Sequence, residues 1–249
     1  MDLPFSSGVF ALIALVVTAG YFVFAITGFG AALLTVPALS HVLPLPFVLP
    51  LSVLLDASAS LVMGVRFHKD ADWRELGWMV PASLIGAVLG VTLLVTLPRM
   101  AALSALGVFL VGYGAYALLD REKFRRVNGA WAPVSGAIGG ALGSLFGIGA
   151  PPYAIYLTRR IEDKAAMRAT LSTMVLASTV IRLTVFVIAG LVLRDRLILF
   201  ALLFPFALVG LWLGQRMHVS LPREKVLAAI SVVLIAAGVS LLARAFALY

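Results

Sequence analysis

Two short stretches decide how this chain folds: Thr27-Gly28-Phe29-Gly30-Ala31, and Ser144-Leu145-Phe146-Gly147-Ile148-Gly149-Ala150-Pro151-Pro152. Each interrupts an apolar run with the pattern Gly-x-Gly-small. Glycine permits backbone angles and close approaches that other residues resist, and proline at a first helical position tolerates the loss of its N–H. Each stretch therefore reads as one helix ending and another beginning. The two also correspond, with Gly28 to Ala31 matching Gly147 to Ala150 at an offset of 119 residues.

The surroundings of these breaks are too apolar for a soluble core. The 249 residues are 62% hydrophobic and 12% charged, with a mean hydropathy of +1.09, against roughly 45–50% apolar residues in soluble domains. Apolar runs near 20 residues recur, each long enough to cross about 30 Å of hydrocarbon. The fold class that follows is an all-α integral membrane protein. Punctuation by charge, Pro and Gly gives helical segments over 8–27, 31–43, 47–65, 76–97, 100–119, 131–146, 151–158, 165–193, 197–217 and 225–244. Segments 31–43 and 151–158 are too short to span alone and read as arms of re-entrant hairpins, so the expected count is six crossings plus two hairpins. The first run, with Asp2 before it and no convincing cleavage site, reads as a retained helix rather than a leader.

The repeat extends beyond the breaks. Ala57-Ser58 matches Ala177-Ser178 at an offset of 120. Pro81, Gly86, Gly90, Leu97-Pro98 and Gly114 match Pro205, Gly210, Gly214, Leu221-Pro222 and Gly238 at 124. Residues 1–119 are thus expected to form a first repeat, 120–130 a linker and 131–249 a second. Lys and Arg gather around 66–74, 121–126, 159–168 and 216–225. Placing these clusters in the cytoplasm puts both termini outside and gives the halves opposite orientations, since each has an odd number of crossings. The expectation is a 5+5 inverted-repeat bundle with broken helices, an architecture whose binding site lies where the halves meet.

Four groups of residues are candidates for that site. The first comprises the breaks themselves, Thr27, Gly28, Phe29 and Gly30 with Ser144, Gly147, Ile148, Gly149 and Ala150. A helix start offers unpaired N–H groups and a partial positive charge to an anion, and Pro151 and Pro152 shift that burden onto Ser144 and the amides of 147–150. The second is Arg182, whose planar fork suits a carboxylate or a sulfur oxyanion. The third is Asp56, a proton carrier or a latch on Arg182, since charges inside membrane segments face a partner or a cavity. The fourth is the Ser/Thr set on the same two helices, with Ser58 and Ser178 as substrate ligands and Ser52, Ser60, Ser172, Thr173 and Thr179 as further ones. Plainer readings compete. The glycines also serve close helix packing, Arg182 and Asp56 also make a structural ion pair, and membrane Ser and Thr also bond their own backbone.

Other functions lack their residues. A chain with no cysteine has no disulfide or Cys-based metal site, and three scattered histidines do not make one; no metal and no cofactor are expected. No nucleophile-and-base set, P-loop or dinucleotide fingerprint is present, so an enzyme is disfavoured. The net charge of +8 sits in clusters between apolar runs, which marks topology and not nucleic-acid binding.

The duplicated Gly-x-Gly-small break, the small-residue helix with Ser and Thr after it, and the Pro- and Gly-bearing helices that follow resemble the TauE/SafE sulfite exporter family of bacterial inner-membrane permeases. The resemblance covers nearly the whole length. Here Ala31, Ala32 and Ala150 stand where members carry a longer glycine run, while Pro151 and Pro152 fit the pattern. The resemblance implies seven or eight spanning helices and export of small sulfur-containing anions such as sulfite or sulfonates. The expectation is accordingly an inner-membrane exporter of small anions working by alternating access in contact with lipid, with proton coupling and a homodimer open. An anion channel and a non-transporting scaffold are the alternatives.

Overall fold

A computed structural model describes residues 7–27, 31–64, 70–119, 127–216 and 223–247. Among them all extended regular structure is helical: α1 (Ser7–Thr27), α2 (Ala31–Ser40), α3 (Leu45–Gly64), α4 (Trp73–Thr96), α5 (Arg99–Leu119), α6 (Ala132–Phe146), α7 (Ala150–Arg160), α8 (Lys164–Ile188), α9 (Arg194–Arg216) and α10 (Arg223–Ala247), with one 3₁₀ turn before α6. Five of these, α1, α4, α5, α8 and α9, are long and apolar enough to cross a membrane. Large apolar side chains such as Ile85, Val88, Leu89, Val187 and Ile188 face outward, as a lipid solvent requires. The protein is an all-α, multi-pass membrane protein.

Local chemistry sets the helix ends. Asp72 caps α4 by accepting from Arg74 N and Glu75 N, and Asp163 caps α8 through Ala166 N. Gly147 ends α6 at a φ of 76°, with its N–H on Gly143 O and that of Ile148 on Leu142 O. This closure needs a left-handed residue and hence glycine. Gly190, at a φ of 67°, does the same for α8, so that helix stops at Ile188 although the apolar run continues to 193. Hydropathy alone does not register such a turn.

Glycine also sets how closely helices approach. A Cβ on Gly86 would lie 2.0 Å from Ala137 O and 2.9 Å from Ala141 N; one on Gly210 would lie 2.3 Å from Thr18 O and 3.0 Å from Phe22 N. These contacts exchange under the sequence offsets, since Ala137 and Ala141 follow Thr18 and Phe22 by 119 residues and Gly210 follows Gly86 by 124. Gly114 against Ser231 O and Gly238 against Gly107 O form a second exchanged pair. Helix neighbours exchange likewise: α4 packs on α6 as α9 packs on α1, α4 on α8 as α9 on α3, while α5 meets α10 and α3 meets α8.

Candidate functional site

The helices bring the breaks and the intramembrane charges to one cavity. Phe24 reaches it from α1, Ala31, Ala32 and Leu33 from α2, and Asp56 and Ser60 from α3. The second break contributes Gly147, Ile148, Gly149, Ala150 and Pro151, α7 adds Tyr153, and α8 adds Val175, Ser178, Thr179 and Arg182. Periodicity explains the polar members: Asp56 and Ser60, like Ser178 and Arg182, are four residues apart and so share a helix face. A Cβ on Gly147 would meet Val36 Cγ2 at 3.0 Å and Ala32 Cβ at 3.3 Å, so the second break abuts the helix that follows the first.

Arg182, only 5% exposed, organises this space. Its Nη2 lies 3.3 Å from Asp56 Oδ2 and its Nη1 donates to Gly147 O at 3.2 Å, while its Nε finds no acceptor among the described residues. Asp56 Oδ1 accepts from the Tyr21 hydroxyl at 2.8 Å. Tyr153 Oη and Ser178 Oγ are 3.0 Å apart, and the Tyr153 ring occupies the space that any side chain on Gly139 would need. A buried cation is thus held by one carboxylate and one carbonyl, with a donor left over. Beside it α7 begins at Ala150 with no side-chain cap, and Pro151 and Pro152 bring no N–H. Such a setting offers an acceptor group one spare guanidinium N–H next to the positive end of a helix.

The structure places the other sequence-predicted residues less uniformly. Ser58 does not line the cavity; its hydroxyl donates to Leu54 O. Ser144 is fully buried, its Cβ where a side chain on Gly90 would fall, and its Oγ has no partner among the described residues. Thr173 and Thr179 bond Ala169 O and Val175 O, although Thr179 still faces the cavity. Gly28, Phe29, Gly30 and the side chain of Thr27 lie outside the described residues, as do the basic residues at 121–126. Among the described residues no group of three or more His, Asp or Glu side chains is placed to hold a metal ion.

Sequence reasoning passed over Tyr21 and Tyr153, since a tyrosine in an apolar run carries no mark separating it from core. It also read Arg160 as topology. In the structure Arg160 Nε donates to Glu75 Oε1 at 2.7 Å and Tyr156 Oη donates to Glu75 Oε2 at 2.5 Å. This cluster joins the end of α7 to the start of α4, and the Glu75 carboxylate holds the Arg160 guanidinium charged by raising its pKa further.

The model of the sulfite exporter TauE/SafE family matches residues 12–241. The chain is also similar to the probable inner membrane transporter protein TsaS of Comamonas testosteroni, with 29% identity over 195 residues, covering 77% of this chain and 81% of that protein. No solved structure matches it. With a match that runs through nine-tenths of its length and a cavity built by both halves, this chain belongs to the sulfite exporter TauE/SafE family and is a multi-pass membrane transporter.

Proposed function

We propose that the protein exports a small sulfur oxyanion, of the sulfite or sulfonate class, across the bacterial inner membrane by alternating access around the Arg182 cavity. The observation that carries this reading is the guanidinium itself: buried, bonded to Asp56 and Gly147 O, and retaining a donor, Nε, that meets no acceptor among the described residues. The entering anion takes that donor together with Nη2, while Ser178, Ser60 and the backbone of Gly149 and Ala150 complete the site. The exchanged helix contacts favour an inverted repeat of 1–119 and 131–249, with small rocking motions of one half on the other opening each side in turn. The basic clusters put both termini outside. The site acts as a carrier and not as an enzyme.

Asp56 couples the anion to a proton in this scheme. An anion that draws Arg182 away leaves a buried carboxylate without its cation, held among the described residues only by the Tyr21 hydroxyl, and a proton relieves that cost. A dianion leaving with one proton carries one net negative charge outward, which a potential negative inside favours by about 2.3 kcal/mol per 100 mV. The test is sulfite efflux from proteoliposomes under an imposed potential. Efflux should accelerate with the interior negative and carry protons with it, and Asp56→Asn should uncouple the protons. Absence of sulfite, sulfonate or carboxylate flux, or full flux in Arg182→Gln, would overturn the proposal.

A further inference from the structure

The polar side chains of this bundle do not end at the cavity. Tyr153, Tyr156 and Arg160 stand at i, i+3 and i+7 on α7 and so share one face. Glu75, Met79 and Ser83 stand at i, i+4 and i+8 on α4, and all three are buried. Glu75 holds Tyr156 and Arg160 at one end of this seam, and at the other Tyr153 reaches Ser178 beside the cavity, while Ser83 is buried with its hydroxyl on Val80 O. The outer end is the end where Arg159, Lys164 and Arg168 cluster, and there the Arg160 side chain is 26% exposed.

The repeat provides an internal control. At the offset of 124, Glu75, Met79 and Ser83 correspond to Leu199, Leu203 and Ala207 on α9, all buried and apolar. At 119, Tyr153, Tyr156 and Arg160 correspond to Leu34, Pro37 and His41. The backbone contacts of the two halves exchange, but this line of polar groups has no counterpart. Packing alone, which the apolar version also achieves, does not call for a buried carboxylate with a cation and a phenol around it.

We propose that the α4–α7 seam is the access route between the cavity and the basic end of the bundle, that the Glu75–Tyr156–Arg160 cluster is its latch, and that Arg160, once released from Glu75, is the first station for the anion. This rests on the reading of the cavity as the anion site and adds its path and gate. Closed, the carboxylate neutralises Arg160 and ties α7 to α4. An anion arriving at the exposed edge of Arg160 competes with Glu75 for the guanidinium, so the cargo helps to open its own route. Along the seam the hydroxyls of Tyr156, Tyr153 and Ser178 stand in succession, with Ser83 bonded to Val80 O beside them, whereas the matching positions of the other half offer only the Ser58 hydroxyl, bonded to Leu54 O, and the His41 ring.

Because the chain has no cysteine, single cysteines report opening directly. Ser83→Cys reports the seam and Ala207→Cys its apolar counterpart, while Glu162→Cys, exposed beside the latch, marks the sidedness of each vesicle. The full-length protein in oriented vesicles is treated with sulfonatoethyl methanethiosulfonate, a membrane-impermeant anion. Adding Glu75→Gln, and separately Arg160→Gln, should raise the modification rate of Ser83→Cys roughly tenfold from the Glu162 side. The rate at Ala207→Cys should stay constant. An unchanged rate at Ser83→Cys would overturn the proposal, as would equal rises at both cysteines, which would reduce the cluster to a general staple. Arg182→Gln separates the two readings: if it abolishes anion binding while the latch variants still unlock Ser83→Cys, both stand, and if binding survives, the cavity assignment fails while the labelling result still decides the gate.

Discussion

The contact of α4 with α6 and that of α9 with α1 are near copies at the level of backbone, yet they are flanked by different chemistry. Gly86 and Gly210 seat the two pairs against equivalent carbonyls. Eleven residues before Gly86 stands Glu75 with Arg160 and Tyr156 around it, and eleven before Gly210 stands Leu199 in an apolar core. The two contacts share how closely their helices approach; the polar groups that only one of them carries are the ones the proposed gate uses. The same division holds inside the cavity, where Asp56 and Arg182 have the apolar counterparts Leu176 and Val62 at an offset of 120.

Grafting charge onto the apolar member should break the comparison most severely. Leu199→Glu buries a carboxylate in an apolar core, at a cost of about 3–4 kcal/mol. That should appear in purified protein as a melting temperature lower by roughly 10 °C. Gly86→Ala and Gly210→Ala should come next and should resemble each other, because in both a methyl meets backbone that cannot turn aside. About 2–3 kcal/mol is expected for each by thermal unfolding in detergent, and a wide gap between them would deny the equivalence of the two contacts. Glu75→Leu, which imports the apolar chemistry into the polar seam, leaves the Tyr156 hydroxyl and a largely buried Arg160 without their Glu75 acceptor. A loss of about 1–2 kcal/mol is expected, with transport changed more than stability.

The smallest effect belongs to His41, at the end of α2, where burial first and the nearby Arg244 second hold the imidazole pKa below its usual 6.5. The folded protein then binds fewer protons here than the unfolded chain. The contribution to stability is complete above about pH 6.5 and declines as pH falls from there toward the lowered value. Arg244 Nη1 donates to His41 O at 2.5 Å and so also fastens α2 to α10. Melting curves from pH 7.5 to 5.5 should show a slightly shallower decline in His41→Gln than in the unmutated chain.

Much of the fold was legible because bilayer thickness and glycine punctuation leave little freedom. All ten segments have a helix, most ends agree within three residues, and the largest departure is the turn at Gly190. The site was legible in part. Charges inside apolar runs mark themselves, which singled out Asp56 and Arg182, but nothing in their spacing says that two residues 126 apart in sequence meet at 3.3 Å. Ser58 illustrates a geometric error: two positions from Asp56 is about 200° around the helix, so it bonds its own backbone, while Ser60, four positions on, shares the Asp56 face. Ser144 adjoins the break in sequence, but packing against α4 at Gly90 decides where it points. Glu75 and Arg160 looked like ordinary charges at helix ends, since their meeting depends on tertiary structure alone.

The most direct test of the Arg182 site is the melting temperature of the unmutated, Arg182→Gln and Asp56→Asn proteins titrated with sulfite, short sulfonates and simple carboxylates. At a ligand concentration of 100 times the dissociation constant the unmutated protein should gain about 2.7 kcal/mol from at least one sulfur oxyanion. Arg182→Gln should gain nothing, and Asp56→Asn, whose Arg182 no longer has a competing carboxylate, should respond at lower concentrations. Equal stabilisation of the unmutated protein and Arg182→Gln would contradict the account and leave that arginine a structural partner of Asp56.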